Sequence, residues 1–242
     1  MRLHRFYVAG ETLSQNSGGV FEVAEKDLVD QLKKVFRLKS GDKIVVFNGD
    51  GRDHECIIKE LIKDKAVLEI QKTYPSRFMP TKEIWLCASI IKKDNFEWIA
   101  EKATELGVSH IVPILSERSE KKLLNEERLQ KIAVEASEQS GRGNVPTIHP
   151  IKKLEESFGY LKSQVSNTTF QMLAFHTEGE PMQGSALLEE GRLAVFIGPE
   201  GGWSLSEVEL FHKENVSVKC LGRQVLRAET AAIAVLSKVV FE

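Results

Sequence analysis

Ile84-Trp85-Leu86-Cys87-Ala88-Ser89-Ile90-Ile91 is an apolar run of strand length, and its reading decides the architecture of most of the chain. Continuous apolar strands suit a parallel sheet buried on both faces. Working forward, Asp94 or Asn95 is placed to cap a helix. Its Phe96, Ile99, Ala103 and Leu106 recur at helical spacing before Gly107, and Val108 to Ile114 completes a βαβ unit. A second helix is expected from about Asn125 to Ser140, with Leu129, Ile132, Ala133 and Ala136 inward and Gly141-Arg142-Gly143 as its stop. Further strands are expected at Phe170–Phe175, Leu193–Ile197 and Val216–Leu221. Helices are expected near Lys152–Leu161 and Leu205–Glu214, with a last one from about Glu229.

Working backward, Tyr-Pro-Ser-Arg-Phe-Met-Pro-Thr at 74–81 carries two prolines and no period, which suits a linker. Before it lie four short strand signals, at Phe6–Val8, Lys43–Phe47, Glu55–Ile58 and Ala66–Ile70. One helix, about Lys26 to Arg37, places Leu28, Val29, Leu32, Val35 and Phe36 on one face, and Asn48-Gly49-Asp50-Gly51 supplies hairpin-turn doublets. The expected organisation is a small β-barrel over 1–73, a linker over 74–82 and an α/β domain over 83–242.

With 42% hydrophobic and 28% charged residues, the 242-residue chain has an ordinary globular composition. Its formal charge of −2 argues against a generic polyanion binder, so any nucleic-acid contact is local. Basic residues gather at Arg2, His4 and Arg5, and at Lys33, Lys34, Arg37 and Lys39. No apolar run approaches the roughly 20 residues of a membrane span, and the start lacks a signal peptide's apolar stretch, so a cytoplasmic protein without membrane contact is expected. Cys56, Cys87 and Cys220 are far apart and lack metal-ligand spacing; they read as buried thiols, with no metal site.

Three strand ends run into polar or glycine-bearing loops: Phe175-His176-Thr177-Glu178-Gly179, Ile197-Gly198-Pro199-Glu200-Gly201-Gly202, and Leu221-Gly222-Arg223-Gln224-Val225-Leu226-Arg227. Ligands of open parallel sheets bind beyond the carboxyl ends of strands, so these loops are expected to converge on one pocket. The middle loop lacks the Lys-Ser/Thr ending of a Walker loop and the G-x-G-x-x-G spacing, which disfavours a phosphate ligand. Ser204-x-x-Glu207 forms a capping box for the helix after it.

Gly198-Pro199-Glu200-Gly201-Gly202 followed by Leu221-Gly222-Arg223-Gln224-Val225-Leu226-Arg227-Ala228-Glu229-Thr230-Ala231 resembles the paired signature of the ribosomal RNA small-subunit methyltransferase E family, within the knotted SPOUT superfamily. The resemblance extends to Glu105-Leu106-Gly107-Val108, Ser116-Glu117-Arg118, Glu138-Gln139-Ser140-Gly141-Arg142 and Arg5-Phe6-Tyr7, and so spans nearly the whole chain. Relatives often carry Cys where Ser140 stands. The family match implies an amino-terminal PUA-like β-barrel and a carboxyl-terminal SPOUT domain with a parallel sheet and a trefoil knot. It also implies S-adenosyl-L-methionine as cofactor and a homodimer. The implied reaction is methylation at N3 of one uridine in the decoding region of 16S ribosomal RNA, with the RNA met within the small ribosomal subunit.

The resemblance puts the cofactor against Phe175, His176, Thr177, Ile197, Gly198, Pro199, Glu200, Gly201, Gly202, Leu221, Gly222, Val225, Leu226 and Arg227. His176 taken alone reads as a loop-structural residue. Arg118 or Arg227 would stabilise charge on a uracil carbonyl, and Glu229 or Glu200 would accept the imino proton. Arg5, Phe6, Arg37, Arg118 and Arg142 are the expected RNA contacts, although a surface ion pair with Glu117 or Glu120 is the plainer reading of Arg118, and a strand aromatic such as Phe6 is more often core. Trp98 and Trp203 default to packing. Two other readings stay open at this point: a knotted methyltransferase acting on another RNA or at a ribose oxygen, and a non-enzymatic RNA-binding assembly factor.

Overall fold

A computed structural model of the chain describes residues 3–10, 13, 18–92, 95–120, 122–164, 170–182 and 191–241. The chain divides into two compact units, Met1–Met79 with Ser137–Val145, and Pro80–Ala136 with Pro146–Glu242. The segment Ser137–Val145 thus groups with the amino-terminal unit although it lies far along the sequence.

In the first unit the alternating segments form β1 (Arg5–Tyr7), β2 (Val20–Val23), β3 (Lys43–Phe47), β4 (Arg52–Leu61) and β5 (Ala66–Pro75), in the sheet order β1-β3-β4-β5-β2. β1 runs parallel to β3, and the remaining pairs are antiparallel. Phe6, Ile44, Val46, Cys56, Ile58, Leu68 and Ile70 meet in one core. β2 was not foreseen; its four residues alternate exposed and buried, too short a pattern to stand out. β5 continues to Pro75, so the expected linker begins inside a strand, where Pro75 pairs with Arg52.

The helix expected over Lys26–Arg37 is α1 (Lys26–Asp30) followed by a π-helical turn over Gln31–Val35. Phe36 N donates to Gln31 O at 3.0 Å across this turn. The wider turn keeps Leu28, Val29 and Leu32 inside but swings Val35 out to 68% exposure, which corrects its expected inward position. Arg37 then adopts φ +53, a left-handed conformation that non-glycine residues seldom take, and ends the helix.

The second unit contains β6 (Glu83–Ser89), α2 (Asn95–Glu105), β7 (His110–Leu115), α3 (Glu126–Ser140, its last turn in the first unit), β8 (Thr147–Ile148), β9 (Lys152–Lys153) and α4 (Leu154–Ser163). It continues with β10 (Phe170–Pro181), β11 (Arg192–Ile197), α5 (Leu205–Lys213), β12 (Ser217–Cys220) and α6 (Ala228–Phe241). Asp94, one of the two expected caps of α2, lies outside the described residues. The sheet order is β12-β10-β11-β6-β7-β8, with β9 also on β7, and every pairing is parallel. The period of two explains why β6 is apolar throughout. Ile84, Leu86 and Ala88 face Phe96, Ile99 and Leu236 on one side, whereas Trp85 and Cys87 face Phe158, Trp203 and Phe211 on the other. Cys56 and Cys87 are buried as expected, and burial raises both thiols, Cys56 to about 12. Cys220 is only half-buried, because β12 is the edge strand of its sheet. Trp98 lies on the outer side of α2 at 43% exposure, not in the core.

At the start of the strands, Trp85 stacks on His110 with ring centres 3.7 Å apart, His110 Nδ1 meets His149 Nε2 at 3.0 Å, and His149 Nδ1 meets the Tyr160 hydroxyl at 2.8 Å. Burial, reinforced by His149, lowers His110 from 6.5 to about 4, and burial lowers His149 as well. The folded protein therefore binds these protons less readily than the unfolded chain. The stability held by neutral His110 is complete above about pH 6.5 and is lost as pH falls toward 4. Thermal melts from pH 7.5 to 4 should accordingly fall more steeply for the parent than for His110→Gln; parallel slopes would refute the assignment.

Candidate active site

The expected loops do converge. A cavity of about 250 Å³ at the carboxyl ends of β10, β11 and β12 is lined by Phe175, His176, Thr177, Ile197, Gly198, Pro199, Glu200, Gly201, Gly202, Leu221, Gly222, Val225 and Leu226. Arg227 alone of the expected cofactor residues does not line it; the Arg227 side chain is exposed, and its carbonyl accepts Ala231 N at 2.8 Å. Cys220, Gln224, Ala228 and Ala231 also line the cavity. Of these, Ala231 lies three residues after Ala228, on the same face of α6.

The first loop is built by an irregularity in β10. Phe175 and Glu180 both pair with Lys219, so residues 176–179 loop out and return to the same partner. Gly179 permits the return, since a Cβ there would lie 2.5 Å from the Lys219 carbonyl carbon. The outward loop is held by the His176 ring, whose Nδ1 accepts Glu178 N at 3.2 Å. The middle loop turns tightly: Gly202 N donates to Pro199 O at 2.8 Å, and Gly202 adopts φ +67. Ser204 and Glu207 form the expected capping box, with Ser204 N to Glu207 Oε2 at 2.8 Å and Glu207 N to Ser204 Oγ at 3.2 Å. The buried indole of Trp203 donates to Phe175 O at 3.2 Å and so ties the middle loop to the first.

The remaining expected site residues separate into three groups. Glu200 and Arg118 stand at the cavity and its wall. Glu200 is exposed and accepts Lys92 N at 3.1 Å; Arg118 Nη1 donates to the Gly201 carbonyl at 2.7 Å instead of pairing with Glu117 or Glu120. Glu229 is 7% exposed, outside the cavity lining, with Oε2 lacking a hydrogen-bond partner among the described residues. In the first unit, Arg5 is buried in an ion pair with Asp53 (2.6 Å), stacks over Phe47 (3.7 Å) and donates to Ser137 O (3.2 Å). Phe6 is 1% exposed and packs edge-on against Phe36, a core position instead of a stacking platform for a base. Arg142 is also buried, with Nη2 3.0 Å from Asn144 Oδ1, and burial lowers its guanidinium to about 10. Arg37 remains exposed beside Lys33 and Lys39. Among the described residues no group of three or more His, Cys, Asp or Glu could hold a metal ion, and no helix is long and apolar enough to cross a membrane.

A cavity at strand ends is the usual ligand position of an open parallel sheet, and similarity to known proteins assigns this chain to the RNA methyltransferase class. The family profile described as RNA methyltransferase domain matches residues 79–240, and that described as RNA methyltransferase PUA domain matches residues 32–71. The chain is 32% identical to ribosomal RNA small subunit methyltransferase E of Bacillus subtilis, over 88% of this chain and 87% of the relative, and 30% identical to that of Rickettsia conorii, over 99% and 96%. The crystal structure of the enzyme of that name from Neisseria gonorrhoeae, bound to S-adenosyl methionine, superposes with a TM-score of 0.85 at 27% identity, covering 98% of this chain and 96% of the other. The chain belongs to the ribosomal RNA small subunit methyltransferase E family. The α/β fold with a parallel sheet, and the PUA-like domain before it, are as the resemblance implied.

Proposed function

We propose that this protein transfers a methyl group from S-adenosyl-L-methionine to N3 of a specific uridine in the decoding region of 16S ribosomal RNA. The observation that carries the reading is the cavity: the loops expected to hold the cofactor meet there, in a chain related to enzymes named for methylation of small-subunit ribosomal RNA. The residues suit the cofactor. Ile197, Leu221 and Ala231 offer apolar surface, the glycines leave room for close approach to the backbone, and a Cβ at Gly198 would meet the Trp203 indole at 3.2 Å.

The bound cofactor supplies an electrophilic methyl group on its sulfonium. The protein's own task is alignment of the uracil ring, charge stabilisation and removal of the N3 proton. Glu200, at the cavity, is the proposed proton acceptor, with Glu229 its alternative; exposed Arg227 is the proposed partner of the uracil carbonyl. Residues 1–73 are the proposed RNA-binding domain and 83–242 the transfer domain, joined by 74–82. Arg37 with Lys33 and Lys39 forms the proposed phosphate contact there. We further propose a cytoplasmic homodimer whose second copy covers Val225 and Leu226, apolar residues exposed at the cavity rim. A trefoil crossing is proposed for the loops after β11 and β12, supported by β10 lying between these later strands.

Mass-spectrometric mapping of 16S RNA nucleosides after deletion of the gene tests the reaction. One 3-methyluridine should disappear and return with the parent gene. Loss of a different base or of a ribose methyl would replace the proposed target, and calorimetric binding of S-adenosyl-L-methionine with no missing methyl group would favour an assembly factor.

A further inference from the structure

We infer that Arg118 is a positioning residue of the cofactor loop: it fixes the orientation of the Gly201–Gly202 peptide from behind the cavity. The inference rests on the proposed cofactor site. A peptide between two glycines is the easiest kind to flip, because neither residue has a Cβ to bias φ and ψ. Here both of its polar ends are held. Gly202 N donates to Pro199 O at 2.8 Å, and the Gly201 carbonyl accepts Arg118 Nη1 at 2.7 Å, with the Trp203 carbonyl a weaker second acceptor at 3.4 Å. The aliphatic part of Arg118 supports the same residue, since its Cδ lies 3.4 Å and its Cβ 3.5 Å from where a Gly201 Cβ would stand.

The arginine is itself anchored. Glu207 accepts Glu117 N with Oε1 and Ser204 N with Oε2, both at 2.8 Å, so one carboxylate joins the Arg118 loop to the start of α5. Ser206 Oγ donates to Glu117 Oε2 at 3.0 Å, and the Ser116 and Ser119 hydroxyls meet at 2.7 Å across the turn. A guanidinium on a braced loop acts as a fixed donor. Its removal leaves one end of the glycine peptide free to turn, with the cavity wall following it.

Two measurements on the full-length protein without RNA test this. Hydrogen–deuterium exchange without cofactor should show faster exchange across residues 198–203 in Arg118→Ala than in the parent, with the core strands unchanged. Calorimetry should show the affinity for S-adenosyl-L-methionine falling ~10- to 100-fold in Arg118→Ala, the range expected for a lost charge-assisted hydrogen bond. Arg118→Lys should fall less, and guanidinium ion at tens of millimolar should partly restore the Ala variant. Unchanged exchange and affinity would overturn the inference in favour of an RNA contact. Loss of affinity that neither lysine nor guanidinium relieves, or unfolding of both variants, would overturn it in favour of general stabilisation. Failure of the parent to bind the cofactor would instead sink the proposed function, while the exchange result still judges the clamp.

Discussion

Gly198→Val is expected to abolish binding of S-adenosyl-L-methionine, with a loss on the order of 100-fold or more, the scale of overpacking a rigid site by a few kcal/mol. Gly198 follows directly on β11, and a Cβ there would lie 3.2 Å from Cε2 and Nε1 of Trp203. The indole has nowhere to retreat. It packs edge-on against Phe211 at 5.0 Å, is closed in by the cluster around Phe158 and Phe196, and gives its N–H to the Phe175 carbonyl. The added isopropyl group must therefore either enter the cavity or break the link between two of its loops. Gly107→Ala, outside the cavity lining, is the control: nothing lies within 4 Å of its Cβ, so the cost is confined to holding alanine at φ +94, roughly 1–2 kcal/mol. Calorimetric titration beside thermal melts reads both. Affinity within twofold of the parent for Gly198→Val would show that the cofactor does not use this cavity.

The largest expected effect on stability is that of Asp53→Ala. The side chains of Arg5 and Asp53 are 9% and 10% exposed, and Asp53 accepts Arg5 Nη2 at 2.6 Å, Arg5 Nε at 3.3 Å and Ser76 Oγ at 2.5 Å. Removing the carboxylate leaves a guanidinium that cannot shed its charge in a site largely closed to water, a change that costs about 3–5 kcal/mol. The double replacement Arg5→Met with Asp53→Asn removes both charges while nearly keeping volume and should be milder than the single one. Added salt should barely alter the difference, because a buried pair is poorly screened. Denaturant unfolding of the full chain checks this. A loss below about 0.5 kcal/mol would mean that the pair is as weak as an exposed one, and would leave Arg5 available for RNA.

The same geometry sharpens a test of how the proposed dimer shares its sites. Because Arg118 grips Gly201 of its own chain, variants Arg118→Ala and Gly201→Val damage the same loop in the same subunit. Heterodimers mixed from the two should recover no methyl transfer. Restored activity would show that Arg118 also serves the neighbouring subunit's site.

By itself the sequence determined the alternation of strands and helices after Ile84 and the capping box at Ser204. It also placed three polar or glycine-bearing loops beyond strand ends, and these meet at the cavity. These features are local, written in apolar period, glycine placement and residues three apart, and the chain order of βαβ units sends successive strand ends to one side of a parallel sheet. Only the tertiary structure decided what depends on partners distant in sequence. Arg5 is a buried ion because Asp53 stands 48 residues away, and Phe6 is core because Phe36 covers it. Residues 176–179 bulge out of register within β10 because Lys219 of another strand pairs on both sides of them. Val35 faces outward because the π-helical turn adds a residue that helical periodicity does not anticipate. Arg118, which in the sequence reads as an RNA contact or as an ion pair with Glu117 or Glu120, faces the Gly201 carbonyl 83 residues later, a pairing that exists only once two loops of the folded sheet lie side by side.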